Sequence, residues 1–141
     1  MPTRTADATW NGSLLEGKGQ VSLGNKAFTG PIDWKSRAES GPNTNPEELL
    51  AAAHSACYSM ALSHGLASAG HPPKRVHTTA KVTFEKQGDG FAITGIALSV
   101  EAEVPGLDQA GFQKFADGAK TGCPVSKALS ATPITLTAKL V

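Results

Sequence analysis

Two cysteines, Cys57 and Cys123, are the side chains in this sequence best suited to nucleophilic, redox or metal chemistry. Cys57 lies inside "TNPEELLAAAHSACYSMALSHGLASAG", an alanine-rich run from Thr44 to Gly70; Cys123 lies in "TGCPVSKAL". A thiol attacks or ligates only as its thiolate, so what matters is what could lower each pKa from ~8.5. Pro124 suits the first position of a helix, which puts Cys123 at or near the N-cap. There a thiolate faces unpaired amide N–H groups and the positive end of the helix dipole. Gly122, just before it, leaves room for another group to approach. Cys57, in mid-helix, gains nothing from the dipole and needs a neighbouring cation. Arg37, in the polar stretch "WKSRAESGPN" ahead of the helix, is the most convenient one. On these residues alone Cys123 is the more activated thiol. The bland alternatives are a buried cysteine acting as a small hydrophobe and an arginine that is a solvated surface charge.

His54 stands three residues before Cys57 and shares its helix face. A metal site from His54, Cys57 and Cys123 is conceivable, but the close paired spacing of zinc motifs is missing. A Cys–His hydrolase has no accompanying triad or oxyanion signature. His64, His71 and His77 read as turn or surface residues. Walker, dinucleotide-binding and metalloprotease patterns are absent.

The elements that must position these thiols are legible in outline. Residues "ADATWNGSLLEGKGQVSLGNKAFTG" hold short strand-like pieces broken by Gly and Asn, a meander. The polar stretch Trp34 to Asn43 reads as a surface loop. The Cys57 helix then starts with Asn45 as N-cap, Pro46 at the first position and Glu48 three after the cap, with Glu47 and Glu48 at the positive dipole end. Leu50, Ala53, Cys57 and Met60 recur at helical spacing, with Leu49, Ala56 and Leu66 beside them. Gly70 and the pair Pro72-Pro73 stop the helix. So much alanine suits close packing against a second helix.

Beyond it, "RVHTTAKVTFEK" alternates with Val76, Thr78, Ala80, Val82 and Phe84 on one face, and "QGDG" signals a hairpin turn. The next strand changes phase at Gly95, a bulge. Leu107 to Lys120 is a helix with Leu107, Phe112 and Phe115 inward, "CPVSKALSA" a short helix, and "PITLTAKLV" a closing strand. The fold class is α+β: a strand meander and a hairpin around a long central helix.

A length of 141 residues suits one domain, 1–141, often completed by a partner subunit at this size. A formal net charge of +1, with charges scattered, argues against nucleic acid as partner. The start "MPTRTADATWNG" has no apolar signal core, and no apolar run approaches the ~18 residues of a membrane span. A cytoplasmic, reducing setting is therefore expected, with no membrane association. There two cysteines favour a reactive role over a structural disulfide.

"TNPEELLAAAHSACYSMAL", followed far downstream by "AKTGCPVSKAL", closely resembles the OsmC/Ohr family, the osmotically inducible and organic hydroperoxide resistance proteins. The resemblance covers almost the whole chain, and "ATWNG…GKGQVS" with "GFAITGIALSVEAEVPGLD" looks like the OsmC branch. It implies an OsmC-like fold, an intertwined homodimer with sites at the subunit interface, and thiol peroxidase activity in stress defence. By that resemblance Cys57 is the peroxidatic cysteine and Cys123 the resolving one, forming a Cys57–Cys123 disulfide. Arg37 is the arginine that holds the thiolate, and Glu47 the glutamate that orients it. The implied order of attack is the reverse of the one the dipole suggests. No bound cofactor is implied; an external dithiol, of lipoyl or other type, re-reduces the disulfide.

Ten residues separate Glu47 from Cys57, ~15 Å along a straight helix, too far for one to serve the other. Two such helices are therefore expected to cross antiparallel, with Glu47 of one subunit at the other's site. Ala53, Ala56, Tyr58, Met60 and Ala61 around Cys57 suggest an apolar pocket that favours organic hydroperoxides over hydrogen peroxide. Two other classes stay open. A thiol–disulfide oxidoreductase lacks its usual Cys-x-x-Cys; a non-enzymatic stress dimer binding an apolar ligand would leave both cysteines merely packed.

Overall fold

The computed structural model describes all residues, 1–141. The element order is β1 (Ala6–Asn11), β2 (Lys18–Leu23), β3 (Thr29–Ile32), α1 (Trp34–Ala38), α2 (Pro46–Ser68), β4 (Arg75–Gln87), β5 (Gly90–Glu103), α3 (Gln109–Gly122), α4 (Pro124–Ala128) and β6 (Ile134–Leu140). This is the expected α+β composition. No helix is long and apolar enough to cross a membrane. Two compact units emerge, residues 1–49 and 50–141, with the division falling inside α2.

In the first unit β1, β2 and β3 form the antiparallel meander read from the sequence. Gly19 lets β1 and β2 close up: a Cβ there would stand 2.5 Å from the Thr9 carbonyl oxygen and 2.8 Å from the Trp10 ring. The stretch expected as a surface loop is partly helical instead. Asp33 caps α1, accepting from the Ser36 N–H at 2.7 Å and from the Asn43 side-chain amide. The Ser36 hydroxyl in turn accepts from the Asn43 N–H at 3.2 Å. Side chains that satisfy the backbone locally make one helical turn out of a sequence that polarity alone reads as loop. Arg37 is carried on that turn.

Asn45 does cap α2, its side-chain oxygen accepting from the Glu48 N–H at 2.8 Å. At the other end Gly70 takes φ +86° and the His71 N–H reaches back to the Leu66 carbonyl at 2.9 Å, closing the helix as the sequence implies.

In the second unit β4 and β5 pair antiparallel through a two-residue turn at Gly88 and Asp89. The register slips where Thr83 faces Gly95 but Phe84 faces Ile93, so the bulge expected at Gly95 is present. β6 pairs with β5 in parallel, which makes β5 the central strand. The inner face of this sheet gives Ile96, Leu98, Val100 and Ala102 to the core, where they meet Tyr58, Leu62 and Leu66 of α2 and Phe112 of α3.

The buried stripe of α2 differs from the one its alanines suggested. His54, Tyr58, Leu62 and Leu66 face inward, four apart, while Ala53 and Ala56 are exposed and Met60 is 73% exposed. The helix is apolar on most sides, so periodicity could not choose the face; the larger side chains fill the core and the alanines are left outside. Replacing Leu66, fully buried, with Ala is expected to cost about 2–5 kcal/mol of stability, read from urea unfolding. A loss below about 1 kcal/mol would contradict this packing.

Candidate functional site

Three segments bring the two cysteines together. Cys57 sits half-buried on α2. Cys123 ends α3 and begins α4, with Pro124 at the first position of the new helix, as read from the sequence. Its side chain is fully buried. The sulfurs lie 3.0 Å apart, and both are free thiols. A disulfide needs ~2.05 Å, so the pair can close with a shift of about an ångström.

The two sulfurs share one hydrogen bond, and their surroundings act on the two thiols in opposite senses. Burial raises the Cys57 pKa, and its contact with Cys123 raises it further; the Val125 N–H works the other way. For Cys123 burial also pushes upward, but the Cys57 thiol, the Ser126 N–H, the Ser126 hydroxyl and the Val125 N–H all favour its anion. The net result is a value below the ordinary one. These contacts fall short of a regular side-chain capping bond, yet together they outweigh desolvation. Electrostatically Cys123 is the more acidic thiol, while only Cys57 is within reach of solvent.

His54 does not share a site with Cys57. It is wholly buried, and its Nε2 lies 2.7 Å from the Ser126 hydroxyl. Burial lowers its pKa, so the ring is neutral near pH 7. No three His, Cys, Asp or Glu side chains gather as a metal ion would require. Ser126 was not singled out from the sequence. Its signal was its place three residues after the N-cap cysteine, where a short polar side chain reaches back to the cap.

In the first unit Arg37 and Glu47 form a two-pronged ion pair. Arg37 Nη2 donates to Glu47 Oε1 at 2.9 Å, and Nε donates to Oε1 and Oε2 at 3.2 and 3.1 Å. Glu47 is only 6% exposed, so this carboxylate relies on the fork for its solvation. Beside Arg37 opens an apolar cleft of about 250 Å³ floored by Trp10, Leu14, Ile32 and Trp34. The residues expected to wall Cys57 do not form one pocket within the chain. Tyr58 points into the core and donates to the Ala116 carbonyl at 2.9 Å, whereas Ala53, Ala56 and Met60 face solvent.

The chain matches the OsmC-like protein family over residues 39–139. It is 46% identical to Peroxiredoxin OsmC of Escherichia coli over 129 residues, 91% of this chain and 90% of that protein. Among solved structures it superposes on the organic hydroperoxide resistance protein OhrB of Bacillus subtilis with a TM-score of 0.72. That match is 26% identical and covers 97% of this chain and 98% of the other. An OsmC-like protein from Mycoplasma pneumoniae, 16% identical, superposes at 0.77 over 99% and 98% and so shares the fold.

The opposite displacement of the two thiols has a direct optical consequence. Thiolate absorbance at 240 nm in the reduced protein should rise in two steps, one below and one above the free-thiol value of about 8.5. The lower step is the loss of the first proton from the pair, the upper that of the proton held between the sulfurs. One step of double amplitude near 8.5 would mean that the sulfurs do not interact.

Proposed function

The chain belongs to the OsmC-like protein family, and from that premise we propose a two-cysteine peroxidase in which Cys57 attacks the hydroperoxide and Cys123 resolves the product. Residues 1–141 act as one functional domain in this reading. The observation that carries it is the contact of a reachable thiol with a buried one at 3.0 Å. A peroxide meets Cys57 first because Cys123 is closed to solvent, whichever sulfur is the more acidic.

The steps balance as follows. With one proton already lost from the pair and the shared proton on Cys123, the thiolate lies on the exposed sulfur. A permanently charged guanidinium such as that of Arg37 favours that arrangement. The Cys57 thiolate attacks the distal peroxide oxygen: an S–O bond forms, the O–O bond breaks, and the alkoxide leaves as alcohol after taking a proton. Cys123 then attacks the sulfur of the sulfenic acid, forming the disulfide and releasing water. An external dithiol, of lipoyl type or another, returns both thiols.

Arg37 and Glu47 act in this reading as a unit, the carboxylate holding the guanidinium in place. Helix rise sets Glu47 about 15 Å along α2 from Cys57, so the pair serves the Cys57 of a second subunit. The uncovered Ala53, Ala56 and Met60 of α2 supply an apolar surface for such a homodimer. The apolar cleft beside Arg37 suits alkyl or aryl hydroperoxides, each Å² buried contributing ~25 cal/mol. The dependence on a dithiol suits a reducing cytoplasm and a role in defence against oxidative and osmotic stress.

Free thiols counted before and after a slight excess of cumene hydroperoxide should fall from both residues, reversibly with a dithiol and faster than with hydrogen peroxide. Cys57→Ser should abolish turnover, and Cys123→Ser should leave a single oxidation of Cys57. Survival of both thiols would defeat the proposal. The subunit arrangement has its own test. Glu47→Ala and Cys57→Ser chains, each inactive alone, should regain activity when unfolded and refolded together, because one site then holds both intact residues. Failure of that mixed dimer to work would place Glu47 and Cys57 in the same subunit's site.

A further inference from the structure

Asn45 does more than the start of a helix requires. Its side-chain oxygen accepts from the Glu48 N–H at 2.8 Å, and its amide nitrogen donates to the Ser36 carbonyl at 3.2 Å. The two contacts fix the orientation of the amide, since the oxygen faces a donor and the nitrogen an acceptor. Capping alone does not select asparagine, because serine and aspartate satisfy the same N–H about as well. What the amide adds is a donor. Here it meets a carbonyl in the last turn of α1, where carbonyls outlast the helix N–H groups that could serve them. Just before it, the Thr44 N–H donates to the Pro31 carbonyl at 3.2 Å and pins the chain beside the end of β3.

The carbonyl that Asn45 holds belongs to the peptide group joining Ser36 to Arg37, and the turn it caps carries Glu47. One side chain thus spans the two elements whose side chains form the ion pair. We propose that Asn45 is a positioning residue: it holds the α1 turn against the start of α2, so that Arg37 is presented to Cys57 with its fork on Glu47 already made. This rests on the two-cysteine reading above, in which the guanidinium favours the thiolate on Cys57. The physical reason is preorganisation. An arginine side chain must lose much rotamer freedom before its charge can act at one place. A backbone tied down at Ser36 fixes where that side chain starts, and the fork fixes where it ends. Without the amide, α1 keeps its Asp33 cap and its bonds to Asn43, but neither of these reaches α2.

Asn45→Ser and Asn45→Asp keep an acceptor for the Glu48 N–H and remove the donor to Ser36. The first is neutral and the second charged, so an effect common to both does not come from charge. In stopped flow with cumene hydroperoxide, both should slow the peroxide-dependent phase about five- to tenfold. Disulfide closure, the later phase that does not depend on peroxide concentration, should keep its rate. The urea midpoint should stay near that of the unaltered protein, because the cap remains. In an Arg37→Ala background Asn45→Ser should slow the first phase little further, since the group it places is already gone. Equal slowing of both phases, or an unchanged first phase in Asn45→Ser, would overturn the proposal and leave Asn45 as a helix cap.

A readout without peroxide keeps the inference distinct from the peroxidase reading. The Arg37 Nε–H donates to both Glu47 oxygens, so its proton should exchange slowly with water in isotope-labelled protein followed by NMR. Its signal is identified by its loss in Arg37→Lys. Asn45→Ser should speed that exchange about five- to tenfold. Faster exchange, with no peroxide consumption by the unaltered protein, would sink the peroxidase and keep Asn45 as the residue that places Arg37. Unchanged exchange would remove that placement even in an active enzyme.

Discussion

Two sulfurs at 3.0 Å, drawn from the middle of one helix and the junction of two others, do not stay in contact by their own attraction. An S–H donor is weak, and burying both groups disfavours the charged form either thiol needs in order to react. The contact must be held by what surrounds it. Tyr58, Leu62 and Leu66 lock α2 into the core of the second unit, and Phe112, Ala116 and Ala119 do the same for α3. With both helices anchored, the end of α3 sets Cys123 beside Cys57, and Pro124 turns the chain into α4 at that point. The apolar core is thus the fixture that holds the thiols in register.

The same geometry separates two properties that a peroxidase needs in different thiols. Cys123 has the anion-favouring donors and no solvent access; Cys57 has access and a raised pKa. The shared hydrogen bond couples them, so the position of one proton decides which sulfur carries the charge. The direction of activation inferred from the position of Cys123 at a helix start and the order of attack implied by family resemblance are then compatible. One describes acidity in the resting pair, the other describes which sulfur a substrate can meet.

Arg37 and Glu47 pose a separate constraint. A carboxylate that is 6% exposed would be costly if left alone, and the fork of Arg37 with its short contact of 2.9 Å supplies the missing solvation. Each group therefore fixes the other. Asp33 and Asn45, by capping α1 and α2, place the two side chains for this pairing.

Much of this was legible in the linear chain, because it depends on neighbours in sequence. The Asn45 cap, the stop at Gly70, the bulge at Gly95, the alternating faces of β4 and β6 and the N-cap place of Cys123 are local, and local sterics and hydrogen bonding determine them. The one-turn helix carrying Arg37 reads as loop from polarity alone, because its support is a net of side-chain bonds among Asp33, Ser36 and Asn43 that polarity does not reveal. What tertiary structure alone decided is of another kind. A helix apolar on nearly all sides cannot announce which face it buries, so only packing could turn His54 and Tyr58 inward and leave Met60 outside. The parallel pairing of β6 with β5 and the partnership of His54 with Ser126 join residues far apart in the chain. Short-range chemistry along the chain is enough to say where helices begin and which thiols can react. The core, by bringing distant segments to a few ångströms, decided which groups those thiols would meet.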